Sequence, residues 1–153
     1  MLPDTSTTPR RSLRVAAAEL TDLSGIRGFL QAAATDLGAD GPAIRDLVIA
    51  ANDAVANIIR HGYRGHPGPI EVVVEREPQA IVVHLRDEAP AFDPTTYPEP
   101  DLTVPLEERR AGGLGILLTR SSVDEVSHRR LHRSGNELTL VKKLAAGERG
   151  ATG

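Results

Sequence analysis

The sequence predicts an α/β fold built as a single domain, and three observations point to it. The chain has 153 residues, 40% of them hydrophobic and 25% charged, which is enough to enclose one sizeable core and too little for two. Its apolar spacing switches along the chain between a period near 2 and a period near 3.6, so strands and helices both occur. With no Cys, no Trp, 2 Phe and 2 Tyr, the core must be built from Val, Leu, Ile and Ala.

The same composition excludes several classes of function. Lys+Arg 18 against Asp+Glu 21 leaves a net charge of −3, so no global positive field draws the chain to nucleic acid or anionic lipid. The scarcity of rings removes the stacking platforms that single-stranded nucleic acid needs. The lack of Cys excludes disulfides, thiol catalysis and Cys-based zinc sites. No apolar run approaches the ~20 residues of a membrane span, and the start lacks the charged-then-apolar order of a signal peptide. A cytoplasmic protein that binds neither nucleic acid nor membrane directly is the expectation.

Taken in order, residues 1–11 carry Pro3, Pro9, Ser and Thr with little that is apolar and read as a disordered tail, as do the small, Gly-rich residues 145–153. The folded domain is expected over 12–144. Leu13, Val15 and Ala17 alternate as in a short strand. Thr21 or Asp22 can then cap a helix whose Leu23, Ile26, Leu30, Ala33 and Leu37 form one stripe up to a stop at Gly38. A second helix begins at Gly41-Pro42 and runs through Ile44, Leu47, Val48, Ala51, Val55 and Ile58 to Gly62. Ile70 to Glu75 and Ala80 to Leu85 read as a hairpin joined by Arg76 to Gln79. Pro90, Pro94, Pro98, Pro100 and Pro105 then break all periodicity, and a stretch this long in so small a domain reads as a lid, expected at about 93–111. Ile116 to Leu118 suit a short helix. A last hairpin flanks Ser134-Gly135-Asn136, with Val123, Val126 and Leu131 on one side and Leu138, Leu140 and Leu144 on the other.

Three clusters can carry chemistry. In the second helix, Asp53 and Asn57 are four apart and share a face. There the carboxylate can accept a proton or orient water, and the carboxamide oxygen is a hard ligand for Mg²⁺. The bland alternative is a solvated helix face, against which stand the small or apolar neighbours Ala50, Ala54 and Ile58. Next, Asp87-Glu88-Ala89-Pro90 follows directly from a strand, where a carboxylate can accept a hydrogen bond from a nucleobase amino group. An ordinary strand-ending turn is its alternative. Third, Arg109-Arg110-Ala111-Gly112-Gly113-Leu114-Gly115 leads into an apolar run. Its glycines let backbone N–H groups approach phosphate, and its arginines can pair with a terminal phosphate. A flexible hinge is the alternative there.

In this order and spacing, AANDAVANIIRHGY from Ala50, DEAPAFDP from Asp87, RRAGGLGILLTRSSVDEVSH from Arg109 and a closing ELTLVKKL resemble the anti-sigma-factor serine/threonine-protein kinases of bacterial stress and sporulation switches. These belong to the superfamily of ATPases that includes gyrase and the sensor histidine kinases. The resemblance implies an α/β two-layer sandwich, a mixed sheet covered on one face by helices, binding ATP or ADP with Mg²⁺ beneath a lid. It assigns Asp53 as base or water orienter, Asn57 as the Mg²⁺ ligand and Asp87 as the acceptor for adenine. It also assigns Ala89 to the base pocket and Gly112, Gly113, Leu114 and Gly115 to the phosphates. The implied partners are an anti-anti-sigma protein as substrate, a sigma factor and a second copy of the chain.

Three departures from the family pattern are visible. Asp53 stands where Glu is usual, which draws the carboxylate back by about one bond length, roughly 1.5 Å. Ala89 replaces a glycine, and Ala111 stands where an arginine meets the terminal phosphate, leaving Arg110 or Arg109 to do so. A nucleotide-binding anti-sigma module without kinase activity, and a detached ATPase half of a sensor kinase, are the alternatives. Against the latter, no phosphoacceptor helix precedes the domain. His61 reads as a cation at a helix C-terminus, while His84, His128 and His132 share no ligand spacing, so no transition-metal site is expected. Phe29, at the margin of the first helix's stripe, is expected either to close the core edge or to meet another subunit.

Overall fold

A computed structural model describes residues 9–90, 122–131 and 135–145. Strand β1 (Arg10–Ala18) leads through a 3-10 turn (Leu20–Asp22) into helix α1 (Leu23–Asp36). Helix α2 (Gly41–Asn57) follows and ends in a π-helical turn (Ile58–Gly62). Strands β2 (Gly68–Glu77), β3 (Ala80–Asp87), β4 (Glu125–Arg130) and β5 (Asn136–Lys143) complete the described elements. The expected lid at 93–111, the short helix after Gly115 and most of both expected tails lie outside the described residues. Among those described, no helix is long and apolar enough to cross a membrane.

β1 begins inside the stretch expected as tail, because Arg10 and Arg11 find partners in Glu75 and Val74 of β2. Its alternation also breaks. Leu13 and Val15 face the core, but the ladder slips between Val15 and Ala18, so Ala18 is buried and Ala17 exposed. At the entry to α1, neither expected cap reaches forward: Asp22 Oδ2 accepts the Glu19 N–H at 2.8 Å and closes the preceding turn instead. The predicted stripe of Ile26, Leu30, Ala33 and Leu37 is buried, with half-buried Phe29 packed against its edge. Phe29 thus closes the core edge. Gly38 ends α1 with φ 92°, and a Cβ there would lie 2.8 Å from Arg76 Nη1, which donates to the Leu37 carbonyl.

In α2, Pro42 occupies the first turn and Leu47, Ala50, Ala51, Ala54 and Val55 are fully buried. The alanines let α2 approach its neighbours closely, and Lys142 of β5 pairs with its Asp46 at 2.9 Å. The two helices cover one face of the sheet, where Ile70, Val72, Val74, Ile81, Val83, Leu85, Leu138 and Leu140 complete the aliphatic core.

The strand order is β1-β2-β3-β5-β4, and all four ladders are antiparallel. This corrects the expectation of a mixed sheet. β3 and β4 do run in the same direction, but β5 lies between them, so no parallel pair forms among the described residues. The β2–β3 turn is tighter than expected, Pro78 and Gln79 alone, because Arg76 and Glu77 pair with Ile81 and Ala80. Asn136, expected in a turn, is the first residue of β5 and sits opposite Asp87 of β3. That pairing places the end of β3 and the start of β5 side by side.

Candidate functional site

Asp53 and Asn57 lie one turn apart near the C-terminal end of α2, and the solvated-face alternative fails there: Asn57 is 2% exposed, between buried Ala56 and Ile58. Asp53 Oδ2 and Asn57 Nδ2 are both buried with no hydrogen-bond partner among the described residues. Leaving such an atom unsatisfied costs about 1–3 kcal/mol, so two on one helix face point to a group that completes them. Burial pushes the Asp53 carboxyl above its ordinary value, while a hydrogen bond from Asn52 and the charge of Arg60 draw it back. Asn52 Oδ1 in turn accepts from Arg27 Nη1 of α1 at 2.9 Å, a support that the sequence did not single out.

Asp87 ends β3 and is 4% exposed. Its Oδ1 accepts the Ala89 N–H at 2.9 Å, which folds the chain back over the carboxylate, and also accepts from Asn136 Nδ2 at 2.9 Å. The same Asn136 nitrogen lies 3.3 Å from the carbonyls of Ala89 and Pro90. Its Oδ1 faces His128 Nε2 at 3.0 Å, and Arg130 Nη1 reaches the Ala89 carbonyl at 3.3 Å. Burial raises the Asp87 carboxyl, and the bonds from Asn136 and Ala89 oppose that rise. Asn136, His128, Arg130 and Gly135 were not singled out in the sequence as neighbours of Asp87. Gly135, at φ 100°, packs so closely on the Asp87 carbonyl that a Cβ would collide with it. The Ser-Gly-Asn string was legible only as a turn, since its contact with Asp87 spans 49 residues.

The α2 and β3 arms are joined by Tyr63, just after the π turn, whose hydroxyl accepts the Glu88 N–H at 2.8 Å. Of the remaining predicted residues, Arg109, Arg110, Ala111, Gly112, Gly113, Leu114 and Gly115 lie outside the described residues. A magnesium ion fits the donors that are described. The unpartnered Asp53 Oδ2 is a hard oxygen, and the Asn57 carboxamide carries a hard oxygen beside its unpartnered nitrogen, itself a hydrogen-bond donor that suits a phosphate oxygen rather than the ion. Among the described residues no cluster of three or more His, Cys, Asp or Glu side chains could hold a metal alone.

Comparison with known proteins decides the family, because the histidine kinase-like ATPase domain matches residues 16–142, from β1 through β5. The chain belongs to that family. As a histidine kinase-like ATPase domain it is similar to the serine/threonine-protein kinase BtrW of Bordetella bronchiseptica, with 33% identity over 101 residues, 65% of this chain and 70% of the relative. It is also similar to the serine-protein kinase RsbW of Staphylococcus aureus, with 31% identity over 135 residues, 84% of this chain and 82% of the relative. The two-layer architecture agrees with membership of this ATPase family.

Proposed function

We propose that the protein is an ATP-dependent serine/threonine-protein kinase and anti-sigma factor. It phosphorylates an anti-anti-sigma partner and, in its other state, sequesters a sigma factor, working in the cytoplasm as a homodimer. The observation that carries this reading is the pair of unpartnered buried atoms on Asp53 and Asn57, one turn apart on α2 and tied through Tyr63 to an anchored Asp87. Two relatives named as serine or serine/threonine kinases support it.

Each residue then has a task. Asp87, with Oδ1 committed to the protein, offers its remaining acceptor capacity to the amino group of adenine. The Asn57 carboxamide oxygen holds Mg²⁺, which when bound neutralises phosphate charge. Asp53, its proton affinity raised by burial, takes the proton of the partner's Ser or Thr hydroxyl. The hydroxyl oxygen forms a bond to the γ-phosphorus, the bond to the bridging β–γ oxygen breaks, and ADP leaves. Gly112, Gly113, Leu114 and Gly115 supply backbone donors to the phosphates, with Arg110 at the terminal one. A nucleotide-binding anti-sigma module without phosphotransfer is the second reading, favoured by the shorter reach of Asp53.

Incubation with labelled ATP, Mg²⁺ and candidate partners encoded nearby tests the proposal. Label on a Ser or Thr of one partner is the expected result. Nucleotide binding with no transfer to any partner would leave the second reading, and label on a His of the protein itself would overturn both.

A further inference from the structure

One step beyond the Ile70–Asp87 pair, a continued β2–β3 ladder would set Pro69 opposite Glu88. A side chain fills that step instead. The Tyr63 hydroxyl donates to the Pro69 carbonyl and accepts the Glu88 N–H at 2.8 Å, so it bridges two backbone groups of adjacent strands. Pro69 has no N–H with which to close the ladder on its own. Gly68 makes room for the ring, since a Cβ there would lie 2.5 Å from it. The backbone of Tyr63 is tied down as well: its N–H donates to Ile58 at 2.8 Å and its carbonyl accepts from His66 at 3.0 Å.

This bridge sits directly beside Asp87. From one side Tyr63 fixes Glu88. From the other, Asn136 and Arg130 hold the carbonyl of Ala89, and the chain between them turns over the Asp87 carboxylate. We propose that Tyr63 is a positioning residue for base recognition: by replacing a ladder step with its hydroxyl, it sets the direction in which the chain leaves β3 and so the angle at which Asp87 meets the base. The inference rests on the reading of Asp87 as the acceptor for the adenine amino group. Tyr63 acts through Asp87 and Glu88 rather than on the nucleotide.

The test compares ATP with purine riboside triphosphate, which lacks the amino group, by calorimetry with Mg²⁺ in wild type and Tyr63→Phe. Wild type should favour ATP. Tyr63→Phe should shrink that preference about 3- to 10-fold, the worth of one hydrogen bond, and speed hydrogen exchange at the Glu88 amide. Gly68→Ala, which displaces the ring but keeps the hydroxyl, should shrink it likewise. An undiminished preference in Tyr63→Phe overturns the proposal, as does loss of the fold in both variants, which would make Tyr63 a stability element only. A wild type that binds both nucleotides equally removes the reading of Asp87 itself, and the two failures are thereby told apart.

Discussion

At Asp87, burial and hydrogen bonding pull the carboxyl in opposite directions, and burial prevails. A carboxyl whose folded value is raised binds its proton more tightly when folded, so its contribution is fully present below its ordinary value of 3.8 and is lost as pH rises through the folded value. Asp87→Asn should therefore melt at a higher temperature than wild type at pH 7, with the gap closing toward pH 4 in parallel thermal scans. The same variant should bind ATP about 10- to 100-fold more weakly by calorimetry, because the carboxamide can satisfy Ala89 and Asn136 only by turning its nitrogen toward the base. Asp53 is tested by rate rather than affinity. Asp53→Asn should lower phosphotransfer by ~10²–10⁴ with nucleotide binding intact, and Asp53→Glu should preserve or raise it by restoring reach. Equal rates in all three proteins would exclude the carboxylate from the chemistry.

At the scale of the element, the sheet face opposite the helices carries a row of alternating charge. Arg14, Glu71, Arg86, Glu137 and Arg129 lie in register on β1, β2, β3, β5 and β4. Arg86 pairs with Glu71 at 3.1 Å and with Glu137 at 2.6 Å, and Arg129 pairs with Glu137 at 2.7 Å, while Arg14 reaches Glu88 at 3.8 Å. Glu137 is the most buried member of this row, its side chain only 5% exposed. Burial alone would raise its carboxyl, but the bonds from Arg129 and Arg86 outweigh that and hold it below the ordinary value of 4.5. Its stabilisation is thus present above that value and lost as pH falls through the folded one. Glu137→Gln should cost about 1.5–3 kcal/mol in urea denaturation at pH 7, and less as the pH approaches 3.

For the whole molecule, a ligand that spans α2 and β3 should couple their stabilities. At a free concentration of 100 times its dissociation constant, ATP with Mg²⁺ adds about 2.7 kcal/mol, a shift of roughly 5–11 °C for a domain near this size. Asn57→Ala should erase the part of that shift that depends on Mg²⁺ while leaving the part that ADP gives without it. A thermal scan in which Mg²⁺ adds as much to Asn57→Ala as to wild type would remove Asn57 from the ion. Phe29 is half-buried and packs against the core edge. Light scattering of the wild type is the direct check of the proposed dimer.

Periodicity was enough to place α1, α2 and both hairpins, because the burial of one helix stripe is written in nearest-neighbour spacing: Ile26, Leu30 and Leu47 lie inside where their spacing put them. Asp53 and Asn57 stood out as candidates for a related reason, as polar residues in a helix segment that is otherwise apolar, and Asp87 as a carboxylate at the end of a strand pattern. What the tertiary structure alone decided are the relations between distant segments. Only the insertion of β5 between β3 and β4 makes every ladder among the described strands antiparallel, and only that insertion sets Asn136 against Asp87. The bulge that turns Ala18 inward and the hydroxyl of Tyr63 between Pro69 and Glu88 likewise depend on which strand lies alongside. Local spacing carries the free energy of burial, but a hydrogen bond across 49 residues exists only once the chain has chosen its neighbours.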